Sequence, residues 1–342
     1  MREPGFWHRP SSWKSHLLRP LAVLYGAVAA RRLRRKGFDA GIPVLCVGNY
    51  HVGGAGKTPT VLALASILRA LGERPVVLSR GYGGRLRGPV MVDPARHLAV
   101  DVGDEPLMMS LHVPVAVARN RIDGAALAKS QNAGVILMDD GFQNPSIAKD
   151  ASLIVIDSER GLGNGRVLPA GPLRAPLKPQ LARTDALVVV GDGNASAEVA
   201  AAVTARGGRV FAAQLKPDEI SLAALRDKRL LAFAGIGDPA RFFRTLRASG
   251  LEVVRERAFA DHHVFSESDL DALLADARRD QLMLVTTEKD LARLRGSADP
   301  PAFGSEIAAF AVTLEFADSA GVRKFLADRL FKAREKKFEA RS

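Results

Sequence analysis

The chain has 342 residues, 47% of them hydrophobic and 25% charged, with a single cysteine and a net charge of +12. That length leaves room for two globular domains, the balance excludes a disordered or low-complexity chain, and one cysteine excludes an internal disulfide framework. The positive excess points to an anionic partner: nucleic acid, an acidic membrane surface or a phosphorylated substrate.

Much of that excess sits in residues 1–36, in Arg2, Arg9, Lys14, Arg19, Arg31, Arg32, Arg34, Arg35 and Lys36. Between these cations runs the apolar stretch Leu21 to Ala30, too short to span a bilayer. With Trp7, Trp13 and Tyr25 beside it, the segment fits a helix lying in a membrane interface. Packing on its own domain is the alternative. Ala27-Val28-Ala29 has the form of a signal cleavage site, but Arg31 to Lys36 would follow at once.

Next comes the apolar run Ile42 to Val47, then Gly53-Gly54-Ala55-Gly56-Lys57-Thr58-Pro59, then a helical pattern over Thr60–Leu71. Strand, glycine-rich loop, Lys-Thr and helix is the layout of a phosphate-binding P-loop. Glycines let backbone N–H groups turn inward around a phosphate, and the helix N-terminus adds partial positive charge. Lys57 can reach the β- and γ-phosphate oxygens of a nucleotide, and Thr58 can give its hydroxyl to Mg²⁺. His51 stands where the strict pattern has its first glycine. An ordinary glycine-rich turn is the competing reading.

Further strands are predicted at Pro75–Leu78, Val113–Ala118, Val135–Met138, Leu153–Ile156 and Leu187–Val190, beside Val44–Val47, with a helix over Asp123–Lys129. Short, nearly continuous apolar runs suit strands buried on both faces. Residues 37–208 therefore read as an α/β domain of the P-loop NTPase type, a doubly wound, mostly parallel sheet whose ligand sits beyond the carboxyl ends of the strands. Those ends carry polar motifs. Ser79 to Gly84 places Arg80 and Tyr82 at the nucleotide face, and Gly103-Asp104-Glu105-Pro106 puts two acids in a turn. Asp139 and Asp140 end an apolar strand, where a carboxylate can hold Mg²⁺. Leu168 to Arg174 is a proline- and glycine-rich loop with one cation.

A smaller α/β domain follows over 218–308. Leu230–Ala234 reads as a strand, Asp238-Pro239 as a helix start closed by Gly250, Ser266 with Asp269 as a capping box for a helix to Arg279, and Leu282–Val285 as a strand. Segments 209–217 and 309–316 are expected to pair as a two-stranded connector, with the helical tail 317–342 returning to the first domain. Asp261-His262-His263 lies in a polar loop, where a histidine beside an Asp can be a base, a metal ligand or a solvated side chain. Thr286 to Asp290 reads as a strand-to-helix junction; its Lys289 is one place late for a guanine-reading motif.

Taken in order, GGAGKTP (Gly53–Pro59), SRGYGG (Ser79–Gly84), GDEP (Gly103–Pro106), DDGFQ (Asp139–Gln143), LPAGPLR (Leu168–Arg174), AGIGDPARFF (Ala234–Phe243), DHH (Asp261–His263) and TTEKD (Thr286–Asp290) resemble the tetraacyldisaccharide 4′-kinase family over nearly the whole chain. The resemblance implies ATP-dependent, Mg²⁺-assisted phosphorylation of the 4′-hydroxyl of an acylated glucosamine disaccharide 1-phosphate, at the cytoplasmic face of a Gram-negative inner membrane. It implies that Asp104 and His262 form a catalytic pair with Lys57 on the γ-phosphate, and that Thr58 and Asp139, supported by Glu105 or Asp140, hold the metal. Arg80, Tyr82, Arg119 and Arg174 then face the substrate. No nucleic acid and no obligate protein partner is implied. His51, Ala55, Asn144 and Ala175 depart from the family pattern, which bears on the outer metal shell. Two rival classes are a P-loop GTPase or metallochaperone and a nucleic-acid-dependent ATPase; the displaced Lys289 and the missing aromatic stacking platform argue against them.

Overall fold

A computed structural model describes residues 4–9, 12–295 and 306–339; Arg2, the stretch 296–305 and tail residues 340–342 lie outside them. The chain opens with α1 (Trp13–Leu17) and α2 (Arg19–Leu33), then β1 (Val44–Gly48), α3 (Lys57–Ala70), β2 (Pro75–Ser79) and β3 (Val90–Met91). It continues through α4 (Ala99–Val102), α5 (Asp104–Ser110), β4 (Val115–Val117), α6 (Arg121–Ser130), β5 (Val135–Asp139) and β6 (Ala151–Asp157). Next come α7 (Leu177–Leu181), β7 (Ala186–Val190), α8 (Ala197–Thr204), β8 (Arg209–Pro217), α9 (Glu219–Leu225), β9 (Arg229–Ala234) and α10 (Pro239–Ala248). The last elements are β10 (Glu252–Ala258), α11 (Glu267–Asp280), β11 (Met283–Thr287), α12 (Glu288–Arg295), β12 (Ile307–Phe310), β13 (Val312–Phe316) and α13 (Ser319–Glu339).

The larger sheet has nine strands in the order β13-β8-β7-β6-β1-β5-β2-β4-β3. Its interior pairs are parallel, and β13 and β3 close the edges antiparallel. Alternate residues of β1 serve opposite faces. Leu45 and Val47 pack with Val61, Leu64 and Leu68 of α3, whereas Val44 and Cys46 pack with Ile136, Met138 and Phe142. Both faces are covered, which is why these strands read as unbroken apolar runs. From β1 the chain runs to β2, on the β5 side, whereas from the neighbouring β6 it runs to β7 on the other side. That is the switch point at which a doubly wound sheet opens a crevice.

The smaller sheet, β10-β9-β11-β12, is parallel throughout. Phe242, Phe243 and Leu246 of α10 cover one face; Leu270, Leu273, Leu274 and Ala277 of α11 cover the other. The helix starts follow their predicted chemistry: Asp238 accepts the N–H of Arg241, and Ser266 and Asp269 form a reciprocal capping box.

Segments 209–217 and 312–316 do pair antiparallel, from Val312 opposite Pro217 to Phe316 opposite Ala213. They are not a separate ribbon. Arg209 to Ala213 also pair with β7, so the two strands form the edge of the large sheet, and Ala309 and Phe310 belong to β12 of the small one. The cause is burial: Phe211 and Phe316 join Phe325 in the core beneath α13. Strand β10, Glu-Val-Val-Arg-Glu-Arg-Ala, is absent from the sequence reading because it is a half-exposed sheet edge without a continuous apolar run.

Two crossed ion pairs tie the sheets' loops together. Asp157, the last residue of β6, and Arg160 in the loop after it pair with Arg241 and Asp238 respectively, at the start of α10. Asp157 is buried, which pushes its carboxyl up, but Arg241 and the backbone N–H groups of Glu159 and Arg160 outweigh burial and hold it below the usual range. A depressed folded value adds stability above the ordinary carboxylate value near about 4, and that stability fades as pH falls below it. Asp157→Asn should therefore lower unfolding free energy at pH 7 by about 2 kcal/mol, less than for a fully buried pair because the Arg241 side chain is 31% exposed. Urea unfolding from pH 7 down to about 3 should show the wild-type advantage shrinking; an advantage constant over that range would rule out the ion pair as its source.

Candidate active site

The loop after β1 begins with a forced contact. A Cβ on Gly48 would lie 2.6 Å from Cβ of Phe142, so only glycine lets the Asp139–Gln143 run close over the strand end. Gly53 and Gly56 take φ of +109° and +83°, in the left-handed region that glycine adopts without steric cost. A Cβ on Gly54 would meet nothing within 4 Å, leaving the hollow of the loop open. Gly56 caps α3, whose first residues are Lys57, Thr58 and Pro59, while Ala55 packs inward. Gln143 braces this loop, donating to the carbonyl of Asn49 at 2.8 Å and to Oε1 of Gln180 at 2.9 Å. His51 is buried and bridges to Leu173, with Nδ1 2.8 Å from the Val52 carbonyl.

β5 delivers Asp139 and Asp140 beside the loop. Asp139 is buried and accepts a hydrogen bond from Ser79 Oγ at 3.2 Å. Burial, then the negative charges of Glu105 and Asp140, push its carboxyl up to about 7, which Lys57 offsets only in part. A buried carboxylate short of positive charge is a cation's counterpart. With the Thr58 hydroxyl it supplies a donor set suited to Mg²⁺, which in phosphate sites takes one or two protein ligands and keeps water. Among the described residues no three histidines, cysteines or carboxylates gather as a metal cage.

Asp140 is placed differently. Arg174 Nη1 donates to both its oxygens at 2.9 Å, and Lys57 Nζ lies 3.8 Å away. Burial is outweighed by these two cations, so its carboxyl is held below the usual range. Arg174, expected to face the substrate phosphate, is thus engaged with Asp140. Ala175 is buried and offers only its carbonyl, to Gln180, and Asn144 caps a turn through Ser146, so neither adds a metal ligand.

Asp104 opens α5 and is buried. Its Oδ2 lies 3.1 Å from His262 Nδ1 and accepts from Arg293 Nη2 at 2.6 Å and Nε at 3.2 Å. Oδ1 accepts the backbone N–H of Glu105 at 2.9 Å. Burial alone would raise its pKa, but the His262 hydrogen bond, Lys289 and Arg293 hold it well below the usual carboxylate range. Glu105, expected near the metal, accepts from Lys289 Nζ at 2.8 Å. His262 has φ +58° in the loop after β10, and its ring centroid lies 5.7 Å from that of exposed Tyr82. Arg80 and Arg119 are exposed on neighbouring loops, and Arg119 Nη2 reaches the Gly84 carbonyl at 3.3 Å.

The structure thus assembles Lys57, Asp139, Asp140, Asp104, Glu105 and His262 at one edge. It adds two residues that the sequence reading did not assign to the site: Lys289, read there only as part of a strand-to-helix junction, and Arg293. Their signal was present: one turn apart on α12, they put two cations on one helix face. Chemically the edge combines a glycine-rich anion cradle with Lys57, a buried carboxylate short of positive charge and a second carboxylate furnished with cations, groups of the kind phosphoryl transfer uses.

A family model described as tetraacyldisaccharide-1-P 4′-kinase matches residues 14–331. The tetraacyldisaccharide 4′-kinase of Bradyrhizobium diazoefficiens is 68% identical over 341 residues, covering 100% of both chains. That of Nitrobacter hamburgensis is 67% identical over 334 residues, covering 98% of this chain and 100% of the relative. Among solved structures, LpxK from Aquifex aeolicus in complex with ATP is similar with a TM-score of 0.72 and 25% identity, over 92% of this chain and 99% of that one.

His262 and Asp104 are in direct contact at 3.1 Å, as a pair acting as one unit requires. Asp104→Ala and His262→Ala should each lower kcat, and the double variant should be little worse than the worse single one, since losses within one unit do not add. Steady-state kinetics of all four proteins decide this; multiplied losses would separate the two roles.

Proposed function

The chain belongs to the tetraacyldisaccharide-1-phosphate 4′-kinase family, and from that premise we propose how its residues divide the reaction. The protein is an ATP-dependent kinase that phosphorylates the 4′-hydroxyl of the tetraacyl glucosamine disaccharide 1-phosphate, giving lipid IVA in lipid A biosynthesis. Neither a GTPase nor a nucleic-acid-dependent ATPase is favoured. The observation that carries the division of roles is the arrival of His262 and Asp104, 158 positions apart, at the edge that holds the P-loop.

ATP supplies the phosphoryl group, and Mg²⁺ supplies charge neutralisation on its oxygens. In the proposed reaction Thr58 and Asp139 would hold the metal, residues 53–56 would cradle phosphate through backbone N–H groups, and Lys57 would balance the γ-phosphate charge. Asp104 accepts the hydrogen bond of the 4′-hydroxyl and aims its oxygen at the γ-phosphorus. The new O–P bond forms as the β–γ bridge breaks, ADP leaves, and the hydroxyl proton passes to Asp104. In a loose transition state the attacking oxygen is barely bonded, so its proton leaves late. A carboxylate held below its usual range therefore suffices, because its main task is orientation. Asp140 positions Lys57 and Arg174. Arg80, Tyr82 and Arg119 form the exposed rim for the phosphorylated sugar. The units built on the two sheets act as two domains.

ATP turnover with and without the tetraacyldisaccharide 1-phosphate tests the assignment. Lys57→Ala should lower glycolipid-dependent kcat by at least about a hundredfold. A loss under about tenfold, near 1.4 kcal/mol of barrier, would contradict its role on the phosphate.

The N-terminal helices support docking at the cytoplasmic face of the inner membrane. No described helix is long and apolar enough to cross a membrane. Leu17, Leu21, Leu24 and Val28 form an exposed stripe at helical spacing, with Trp13 nearby and Arg31, Arg32, Arg34 and Arg35 following. Trp7 is not part of it: the ring is buried and its Nε1 donates to the Pro169 carbonyl at 3.1 Å. Changing Leu17, Leu21, Leu24 and Val28 together to Ser should reduce co-sedimentation with anionic vesicles while leaving urea unfolding unchanged. Undiminished co-sedimentation would place the docking surface elsewhere.

A further inference from the structure

We infer that Arg293 is a positioning residue of this kinase: by occupying one oxygen of Asp104, it leaves the other, Oδ1, as the atom that receives the substrate hydroxyl. The inference rests on the assignment of Asp104 proposed above. A carboxylate oxygen has two lone-pair directions. Oδ2 is approached by three N–H groups, from Arg293 Nη2 at 2.6 Å, Arg293 Nε at 3.2 Å and His262 Nδ1 at 3.1 Å. Oδ1 receives one, the Glu105 backbone N–H at 2.9 Å. One acceptor direction therefore stays open on Oδ1 and none on Oδ2.

Arg293 is itself fixed before it reaches Asp104. Its Nη1 donates to Asp290 Oδ1 at 2.6 Å, to the Gly235 carbonyl at 3.2 Å and to the His263 carbonyl at 3.3 Å. Asp290 is fully buried, and its Oδ2 accepts the Gly235 N–H at 3.0 Å and Thr287 Oγ1 at 2.9 Å. The guanidinium thus joins three parts of the smaller unit: the turn after β9, the loop carrying His262 and His263, and α12. Its planar fork then delivers two N–H groups to a single oxygen, which an ammonium group cannot match. Lys289, one turn earlier, engages Glu105 and lies 3.9 Å from Asp104 Oδ2, supplying charge without that geometry.

The test is steady-state kinetics of the full chain with ATP and the tetraacyldisaccharide 1-phosphate in detergent micelles. Arg293→Ala should lower kcat by about a hundredfold, the usual effect of misplacing a reacting group, with KM for ATP changed less than about twofold. Arg293→Lys should recover only part of that loss. The double variant with Asp104→Ala should be no slower than Asp104→Ala alone, because Arg293 acts through that carboxylate. Arg241→Ala removes the ion pair to Asp157 without touching Asp104, and it should keep kcat within about threefold of wild type. Circular dichroism and thermal unfolding check each variant, and if Arg293→Ala does not fold, Arg293→Lys and Arg293→Gln carry the comparison. A kcat within threefold of wild type, full recovery by Lys, losses that multiply with Asp104→Ala, or an equal loss from Arg241→Ala would each overturn the inference. A wild-type protein that does not turn over the glycolipid would instead count against the proposed reaction, so the two failures are distinct.

Discussion

Val47 lies opposite Asp139 in the parallel ladder of β1 and β5, and the site depends on that register. Parallel strands release their loops at the same edge, so the phosphate loop and the two carboxylates emerge side by side without a long connection. The hydrogen bond from the Asp140 N–H to the Val47 carbonyl, at 2.9 Å, continues the ladder one residue past the strand. Gly48 then admits the Cβ of Phe142, which a side chain at position 48 would push away. A slip of one residue would turn the alternating core of both strands inside out, so the same apolar packing that stabilises the sheet also sets the spacing of Lys57 and Asp139.

Around that edge the carboxylates sit in opposed environments. Asp139 is buried among negative neighbours and pushed up, while Asp104 is equally buried but crowded by His262, Lys289 and Arg293 and held down. Divergent environments are how one site assigns different tasks to the same functional group. In the proposed reaction one carboxylate awaits a cation and the other is already furnished with them. The cations come from the smaller unit, which therefore completes the site as well as covering it.

Local chemistry made much of this legible. Glycines with left-handed φ, helix starts at Asp238 and Ser266, and strands buried on both faces all leave marks within a few residues of where they act. What escaped were interactions between distant segments. Arg293 meets Asp104 across 189 positions, and nothing in the local pattern of α12 names its partner. Arg174 was placed at the right edge but read as facing the substrate, because its pairing with Asp140 depends on the path of the loop before α7. Trp7 was read as an interfacial aromatic by its basic neighbours, although the Pro169 carbonyl holds its indole. Strand β10 was missed for the opposite reason: as a half-exposed edge, it needs little apolar character to pair.

The crossed pairs between the β6 loop and α10 have a further meaning. Each partner presents one acid and one base, Asp157 with Arg160 against Asp238 with Arg241. Within each pair the opposite charges cancel where the two faces meet. Reversing one face, however, would set acid on acid and base on base. The arrangement works as a key with two teeth: like charges would oppose the inverted orientation, and opposite charges favour the one observed.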